Sequence, residues 1–350
     1  MTILNVDGTT IGQGTDCYVI AEIGHNHQGS LEKAKELFKV AKECGVNAVK
    51  LQKRDNRSLY TKAMYAKPYD NENSFGLTYG AHREALELGR SEYAELKQYA
   101  RELGLTMFAT AFDFTSADLL ATLDLPAYKI ASGDLRNVPL LTHVARLGKP
   151  IFLSTGGGTL EDVRRAHDAI MPINPRLAVL QCTAAYPAAP EELNLRVIET
   201  YQREFPDAVV GLSDHENGIA MAVAAYVLGA RVIEQHFTLN HTWKGTDHAF
   251  SLEPIGLRKL VRDLRRAHLA LGDGIKRPYP SEANPILKMG KKLVASRDIP
   301  MGHTLSAEDI AIKSPGDGLP PYELPRVLGR RTRRTIAEDE NLEWDLLSDA

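Results

Sequence analysis

The chain has 350 residues, 43% of them hydrophobic and 25% charged, with 42 Lys and Arg against 45 Asp and Glu. Such a composition supports a large core and excludes disorder as the main theme. A net charge of −3, with the short run Arg330, Arg331, Arg333, Arg334 followed at once by acidic Glu338–Glu340, excludes a polyanion-binding surface, so no nucleic-acid partner is expected.

Three widely spaced cysteines, Cys17, Cys44 and Cys182, form no CxxC pair and argue against a disulfide framework or a zinc ribbon. A reduced, cytoplasmic setting is expected. The segment Met1–Gly14 is polar and glycine-rich, without a signal-peptide core. The longest uncharged apolar stretch, Gly218–Ala230, falls short of the about 20 residues that span a bilayer, so no membrane association is expected.

In chain order, Asp7-Gly8 predicts a hairpin turn between strands 3–6 and 9–12. Eight β-branched or apolar runs then alternate with segments of helical period. The runs are 18–23, 47–52, 105–110, 127–132, 150–155, 177–183, 208–213 and 231–237. The predicted helices are 30–44, 91–103, 116–123, 138–147, 160–170, 191–205, 217–228 and 254–271. Ser30 and Ser91 are the expected N-caps of the first two, and Gly45 and Gly104 their stops. Eight strand–helix units in about 250 residues predict an α/β chain folded as a TIM (β/α)8 barrel. A doubly wound sheet is the competing architecture, but the first turn lacks GxGxxG. The opening hairpin is read as a small lid across one barrel end. The barrel is expected over residues 1–272 and a linker over 273–284. A small domain over 285–350 comes last, with short strands such as 293–295 and 335–337 and a rigid Pro/Gly loop from Ser314.

A TIM barrel carries its active site at the C-terminal ends of its strands. The polar residues there are Glu22; Lys50 and Lys53; Thr110; Lys129, Ser132 and Asp134; Ser154 and Thr155; Thr183 and Tyr186; Ser213, Asp214 and His215; and Glu234 and His236. Singly, a strand-end serine is usually a helix cap and a lysine a surface charge. Eight polar strand ends together point to one mouth for an anionic, phosphate-bearing ligand. His215 and His236, on adjacent strand ends, are the metal candidates, with Asp214 and Asp247 near them, and two imidazoles with oxygen ligands suit Mn2+ or Mg2+ better than structural zinc. His25-Asn26-His27 is read as a loop that holds its own backbone, with scope for a substrate contact. Two long segments come after strands two and eight: 60–90, rich in tyrosine and read as a lid or subunit contact, and 240–254, carrying Asp247 as a candidate base.

The runs Ala21-Glu22-Ile23-Gly24-His25-Asn26-His27, Lys50-Leu51-Gln52-Lys53, Lys129-Ile130-Ala131-Ser132-Gly133-Asp134, Gln181-Cys182-Thr183, Ser213-Asp214-His215 and Trp243-Lys244-Gly245-Thr246-Asp247-His248 together resemble the sialic acid synthase family, and residues 285–350 its C-terminal antifreeze-like (SAF) domain. The resemblance covers nearly the whole chain. It implies condensation of phosphoenolpyruvate with a hexosamine-type sugar to a nine-carbon 2-keto-3-deoxy acid and phosphate. It further implies phosphoenolpyruvate contacts from Lys53, Thr110, Lys129, Ser132, Ser154 and Ser213, and metal ligation by His215 and His236. Tyr186 and Asp247 would contact the sugar, Asp134 or Asp247 would act as base, and Glu22 belongs with the catalytic carboxylates. A domain-swapped homodimer, the SAF domain of one subunit capping its partner's barrel, is also implied. Two departures bear on the acceptor. Asp134 and Ala184 stand where bacterial free-sugar synthases often have Glu and Asn, which is more like the animal-type enzymes, and Ser314 replaces an arginine that Lys313 could stand in for. N-acetylmannosamine, its 6-phosphate and mannose 6-phosphate all stay open. The rival readings are a Schiff-base aldolase using Lys129 or Lys50, and a non-catalytic carbohydrate-binding protein.

Overall fold

Asp7 and Gly8 both take positive φ (49° and 81°), the backbone that a two-residue hairpin with matching strand twist requires. They join β1 (Ile3–Val6) to β2 (Thr9–Gly12) in antiparallel register, Val6 opposite Thr9. The computed structural model describes residues 2–349. After the hairpin come β3 (Tyr18–Gly24), β4 (Ala48–Lys53), β5 (Thr106–Ala111), β6 (Tyr128–Ile130), β7 (Ile151–Ser154), β8 (Leu177–Cys182), β9 (Val209–Asp214) and β10 (Val232–His236). All eight are parallel and close into a barrel, β10 pairing with both β9 and β3. Each strand lies within a residue or two of its predicted run.

Two apolar layers hold the barrel. Outward residues such as Val19, Ala21 and Ile23 of β3 pack against helix residues such as Leu37 and Phe38. Inside, Tyr18, Ile20, Ala48, Phe108, Phe152, Leu180 and Val232 form a second core that also contains Leu4, Val6 and Ile11 from the hairpin. The hairpin is therefore a plug in the N-terminal end of the barrel. Each of its three fully buried side chains contributes about 1.5–3 kcal/mol of burial. With that end filled, the open mouth lies at the C-terminal ends of the strands.

Local signals explain most helix ends. Ser30 accepts the Lys33 N–H at the start of Leu31–Cys44, and Gly45, at φ 89°, donates to the Lys42 carbonyl and ends it. Thr159 and Asp162 form a reciprocal capping box on Leu160–Ile170. Three expectations are corrected. The second long helix is Arg90–Glu102 with Gly89 at its N-cap, and the Ser91 hydroxyl donates instead to Glu92. The segment 191–205 splits into a short 3-10 turn, Pro190–Glu192, and a helix, Val197–Glu204, separated at Asn194, whose φ is 42°. The helix expected from 217 starts at Ala220, after Gly218 at φ 139°.

Two units are distinguished, Met1–Gly272 and Asp273–Ala350. The second begins with a 3-10 turn, Pro280–Glu282, and a helix, Ala283–Met289, inside the stretch read partly as linker. It pairs β11 (Lys292–Ala295) with β12 (Ile310–Lys313), and β13 (Arg331–Thr332) with β14 (Leu347–Ser348), around Leu293, Ile299, Leu305, Val327, Ile336 and Leu342. Residues 335–337 make only one bridge, Ile336 to Ile299, rather than a strand. Among the described residues no helix is long and apolar enough to cross a membrane.

Candidate active site

The barrel mouth holds a cavity of about 560 Å³. Of the residues expected there, Glu22, Thr110, Lys129, Ser132, Ser154, Tyr186, Ser213, His215, His236 and Asp247 all line it. The pleat explains the selection. Successive strand residues face opposite ways, so β9 sends Ser213 into the cavity. Asp214 goes to the other side of the sheet, where it accepts the Glu216 N–H at 3.1 Å. Burial raises the Asp214 carboxyl to about 6.

The floor is a buried network of charges. Lys50 lies 2.7 Å from Glu22 and 3.5 Å from Glu234, and donates to Thr110 at 3.0 Å. Lys129 lies 3.4 Å from the same Glu234 oxygen, which also accepts from Ser213 at 3.2 Å. Burial works against the Lys50 charge, but Glu22 and Glu234 outweigh it and raise the pKa. Lys129 has only Glu234 close by. Burial, with Lys50 adding to it, leaves its ammonium below the ordinary lysine value. Burial opposes the Glu234 charge too, yet Lys129, Lys50 and the two histidines hold its carboxyl down.

Hydroxyls surround the Lys129 side of the floor. Ser132 Oγ accepts the Gly156 N–H at 2.9 Å, which binds the loop after β7 to that after β6. A Cβ at Gly156 would meet Ser132 Oγ at 2.8 Å, so only glycine permits this approach. Ser154 Oγ is buried and has no hydrogen-bond partner among the described residues. Since Ser154 lines the cavity, this hydroxyl is free to donate to a ligand there.

The rings of His215 and His236 stand 5.4 Å apart. His215 Nδ1 lies 2.8 Å from the Thr183 carbonyl, which fixes the proton on that nitrogen and leaves the Nε2 lone pair free. His236 Nδ1 is buried and unpartnered, 3.9 Å from Asp247 Oδ2. Burial lowers both pKa values, so both rings are neutral at pH 7, the state that binds a metal. No group of three or more His, Cys, Asp or Glu side chains poised around one point occurs among the described residues. Two neutral rings, one with a buried and unpartnered Nδ1, are the kind of donor pair an open divalent-ion site uses, with water and substrate oxygens as the other ligands. Tyr186 packs its ring 4.2 Å from that of His215.

Asp247 and Glu22 meet at Gly24. This glycine, at φ 52°, sits in a bulge of β3, and a Cβ there would lie 3.2 Å from Glu22 Oε1, 3.3 Å from Gln52 Nε2 and 3.5 Å from Asp247 Oδ2. Burial opposes the Asp247 charge, but His236, the Thr246 hydroxyl, His25 and Arg83 keep its carboxyl below the usual value and hence ionised. Asn26 donates to the Phe237 carbonyl and to Ser251, and His27 Nδ1 accepts the Gly29 N–H, so both hold the loop as expected.

Two expected site residues of the barrel do not line the cavity. Lys53 points to the opposite face of β4 from Lys50, bound to Glu87 at 2.7 Å and to two carbonyls, and it does not line the cavity. Asp134 accepts from Asn137 at 3.0 Å and also does not line it, whereas Asp247, the other candidate base, does. Lys313 belongs to the second unit and is paired there with Asp339.

Among the lining residues that were not expected are Gln52, Arg54 and Arg83. Lys50, Gln52 and Arg54 alternate along one face of β4 and its extension, a period-2 signal already present in the sequence. Arg83 comes from the short helix Tyr79–Ala85 in the tyrosine-rich segment after β4, and nothing in the sequence pattern marks it.

The model of the NeuB family matches residues 37–276, and that of the SAF domain residues 292–348. The chain belongs to the NeuB family. Among its relatives is human N-acetylneuraminate-9-phosphate synthase, 40% identical over 97% of this chain and 95% of that protein. N,N'-diacetyllegionaminic acid synthase of Legionella pneumophila is 35% identical over 95% of each. The crystal structure of N-acetylneuraminic acid (sialic acid) synthetase from Leptospira borgpetersenii, in complex with citrate, superposes with a TM-score of 0.71. It is 29% identical and covers 81% of this chain and 95% of its own. This NeuB chain is a carbon–carbon bond-forming transferase of the sialic-acid-synthase type, an α/β barrel followed by a SAF domain.

Proposed function

We propose that the protein condenses phosphoenolpyruvate with an N-acylhexosamine of the N-acetylmannosamine type, giving a nine-carbon 2-keto-3-deoxy sugar acid and phosphate. The observation that carries this reading is one cavity combining the Lys129 ammonium and nearby hydroxyls with two neutral imidazoles in its lining. Lys129, Ser132, Ser154, Ser213 and Thr110 hold phosphoenolpyruvate, and Tyr186 and Asp247 the open-chain sugar. His215 and His236 would hold the Mn2+ or Mg2+, and a bound ion supplies Lewis-acid polarisation of the sugar aldehyde.

C3 of phosphoenolpyruvate bonds to the aldehyde carbon, whose π pair moves to oxygen and is protonated. Water adds at the electron-poor C2, losing a proton to Asp247. The C2–O bond then breaks, phosphate leaves with its electron pair, and the C2 hydroxyl becomes the ketone as it gives up its proton. Lys50 and Lys129, pre-set by Glu22 and Glu234, balance the substrate's negative charge throughout.

The test is phosphate release from phosphoenolpyruvate with Mn2+ across N-acetylmannosamine, its 6-phosphate, mannose 6-phosphate and arabinose 5-phosphate. Release with a hexose-type acceptor, abolished by EDTA, supports the reading; release with arabinose 5-phosphate alone opposes it. Lys129, with its lowered pKa, is the one feature that favours an imine mechanism instead. Borohydride with a keto acid is expected to leave it unmodified. The domain-swapped homodimer belongs to the same proposal. A full-length His236→Gln chain mixed with a chain ending at Leu271 should then regain activity, the former supplying the SAF domain to the latter's barrel.

A further inference from the structure

We propose that the N-terminal end of the barrel carries a second binding site, built on Arg231, for a small carboxylate with an apolar body. A cavity of about 520 Å³ lies there, with Gly12 of the hairpin plug in its lining, and it shares no lining residue with the mouth. Its apolar walls include Phe205, Val209 and Val210 at the start of β9, and Leu228 at the end of the helix Ala220–Val227. Small-molecule sites typically span about 300–1,000 Å³ and combine such walls with a few polar groups. Among the described residues of this lining, Arg231 is the one that carries a charge.

The two edges of the Arg231 guanidinium differ. Nη1 donates to the Tyr226 carbonyl at 3.1 Å and the Ala230 carbonyl at 2.9 Å, which closes the end of the helix. The group also stands 4.8 Å from the centre of the Tyr226 ring. On the other edge Nη2 makes no hydrogen bond, and Nε is buried without an acceptor, among the described residues. Helix capping thus accounts for one edge and leaves a buried donor that an oxygen of a ligand would satisfy.

The Nε–H and one Nη2–H point the same way, the fork that meets both oxygens of a carboxylate. Arg262 uses that edge on Asp263, Nε to Oδ1 at 2.8 Å and Nη2 to Oδ2 at 3.0 Å. No carboxylate of the described residues takes this place at Arg231. Asp16, whose charge acts together with that of Arg231 on the Cys17 thiol and the Tyr226 phenol, is the ion-pair partner of His268 at 3.6 Å. A single cation among apolar walls selects a monoanion with an apolar body over a phosphate, whose second charge would need a second cation.

The experiment measures binding of phenylacetate, and of phenylacetamide as its uncharged analogue, by calorimetry on the full chain, Arg231→Gln and Val227→Glu. Val227 lines the cavity and is 53% exposed, so a carboxylate there repels the ligand, or takes the Arg231 fork, without disturbing the core. The wild type should bind phenylacetate more tightly than the amide by roughly 10-fold or more, the scale of a hydrogen bond to a charged group, and each variant should remove that preference. No binding of phenylacetate by the wild type at millimolar concentration overturns the site. Equal binding of the amide overturns the class of ligand. Phenylacetate binding left unchanged by either substitution would place the ligand elsewhere, at Lys129 in the mouth for example, and overturns the site as well. If Arg231→Gln does not fold, Val227→Glu, changed at a half-exposed position, decides alone.

Discussion

Replacing Glu234 by Gln keeps its shape and its contact with Ser213 but removes the counter-ion of two buried lysines. At the 3.4 Å between Lys129 Nζ and Glu234 Oε1, an effective dielectric of about 20 gives roughly 5 kcal/mol of attraction. Removing one partner of a buried pair typically costs about 3–5 kcal/mol, because the other charge stays buried. Lys50 retains Glu22 at 2.7 Å, so the loss falls mainly on Lys129. We therefore expect Glu234→Gln to be destabilised by about 3 kcal/mol or more at pH 7, read by urea unfolding. The folded carboxyl lies below its ordinary value of 4.5, so its stabilisation is full above about that pH and is lost as the pH falls through the lower folded value. The gap between variant and wild type should be constant from pH 5 to 8 and close below that window. Phosphoenolpyruvate, a polyanion, should restore part of what was removed, so saturating ligand should raise the melting temperature of the variant more than that of the wild type. Equal unfolding midpoints, or equal shifts with phosphoenolpyruvate, would refute the argument that Glu234 holds the floor together.

Other consequences are as direct. His215→Gln and His236→Gln should each abolish tight Mn2+ binding by calorimetry and lower phosphate release roughly 100-fold or more; unchanged Mn2+ affinity in either would remove that ring from the metal site. Burial lowers His27, His82 and His248 to about 4. The unfolded chain takes up these protons first, so the stability the neutral rings carry is full above their ordinary value of 6.5 and is lost as the pH falls from there to about 4, by up to about 1.4 kcal/mol per pH unit for each ring. Urea midpoints in EDTA that stay level between pH 7 and pH 5 would contradict this. Leu4→Ala in the hairpin plug should cost about 2–5 kcal/mol, without altering the KM for either substrate, because Leu4 is packed in the core at the end away from the cavity. A changed KM would show that the plug and the mouth are coupled.

How much of this was legible in the sequence depends on whether the information was local. Strand positions were, since apolar runs punctuated by glycine mark them. So were caps such as Ser30, where a hydroxyl three residues ahead of a free N–H suffices. Ser91 failed as a cap because Gly89 starts the helix earlier, a choice made by backbone entry angle rather than by side-chain identity. In the site, most of the expected strand-end residues reach one cavity because a strand's C-terminal end fixes where its last inward side chain goes. Lys53 shows the cost of reading position without parity. Two lysines end β4, and only Lys50 shares a face with Gln52 and Arg54, which the alternation could have shown. Arg83 was beyond such reasoning. It reaches the cavity from a four-helix excursion between β4 and β5, and its place depends on packing among Tyr60, Tyr69, Tyr79 and His82 that no spacing rule encodes. The barrel strands thus carry most of the polar lining of the cavity, and the excursion adds Arg83 to it. Loop residues can vary without disturbing the charge network on the floor, which is why specificity can reside in the part of the site that is least readable from pattern alone.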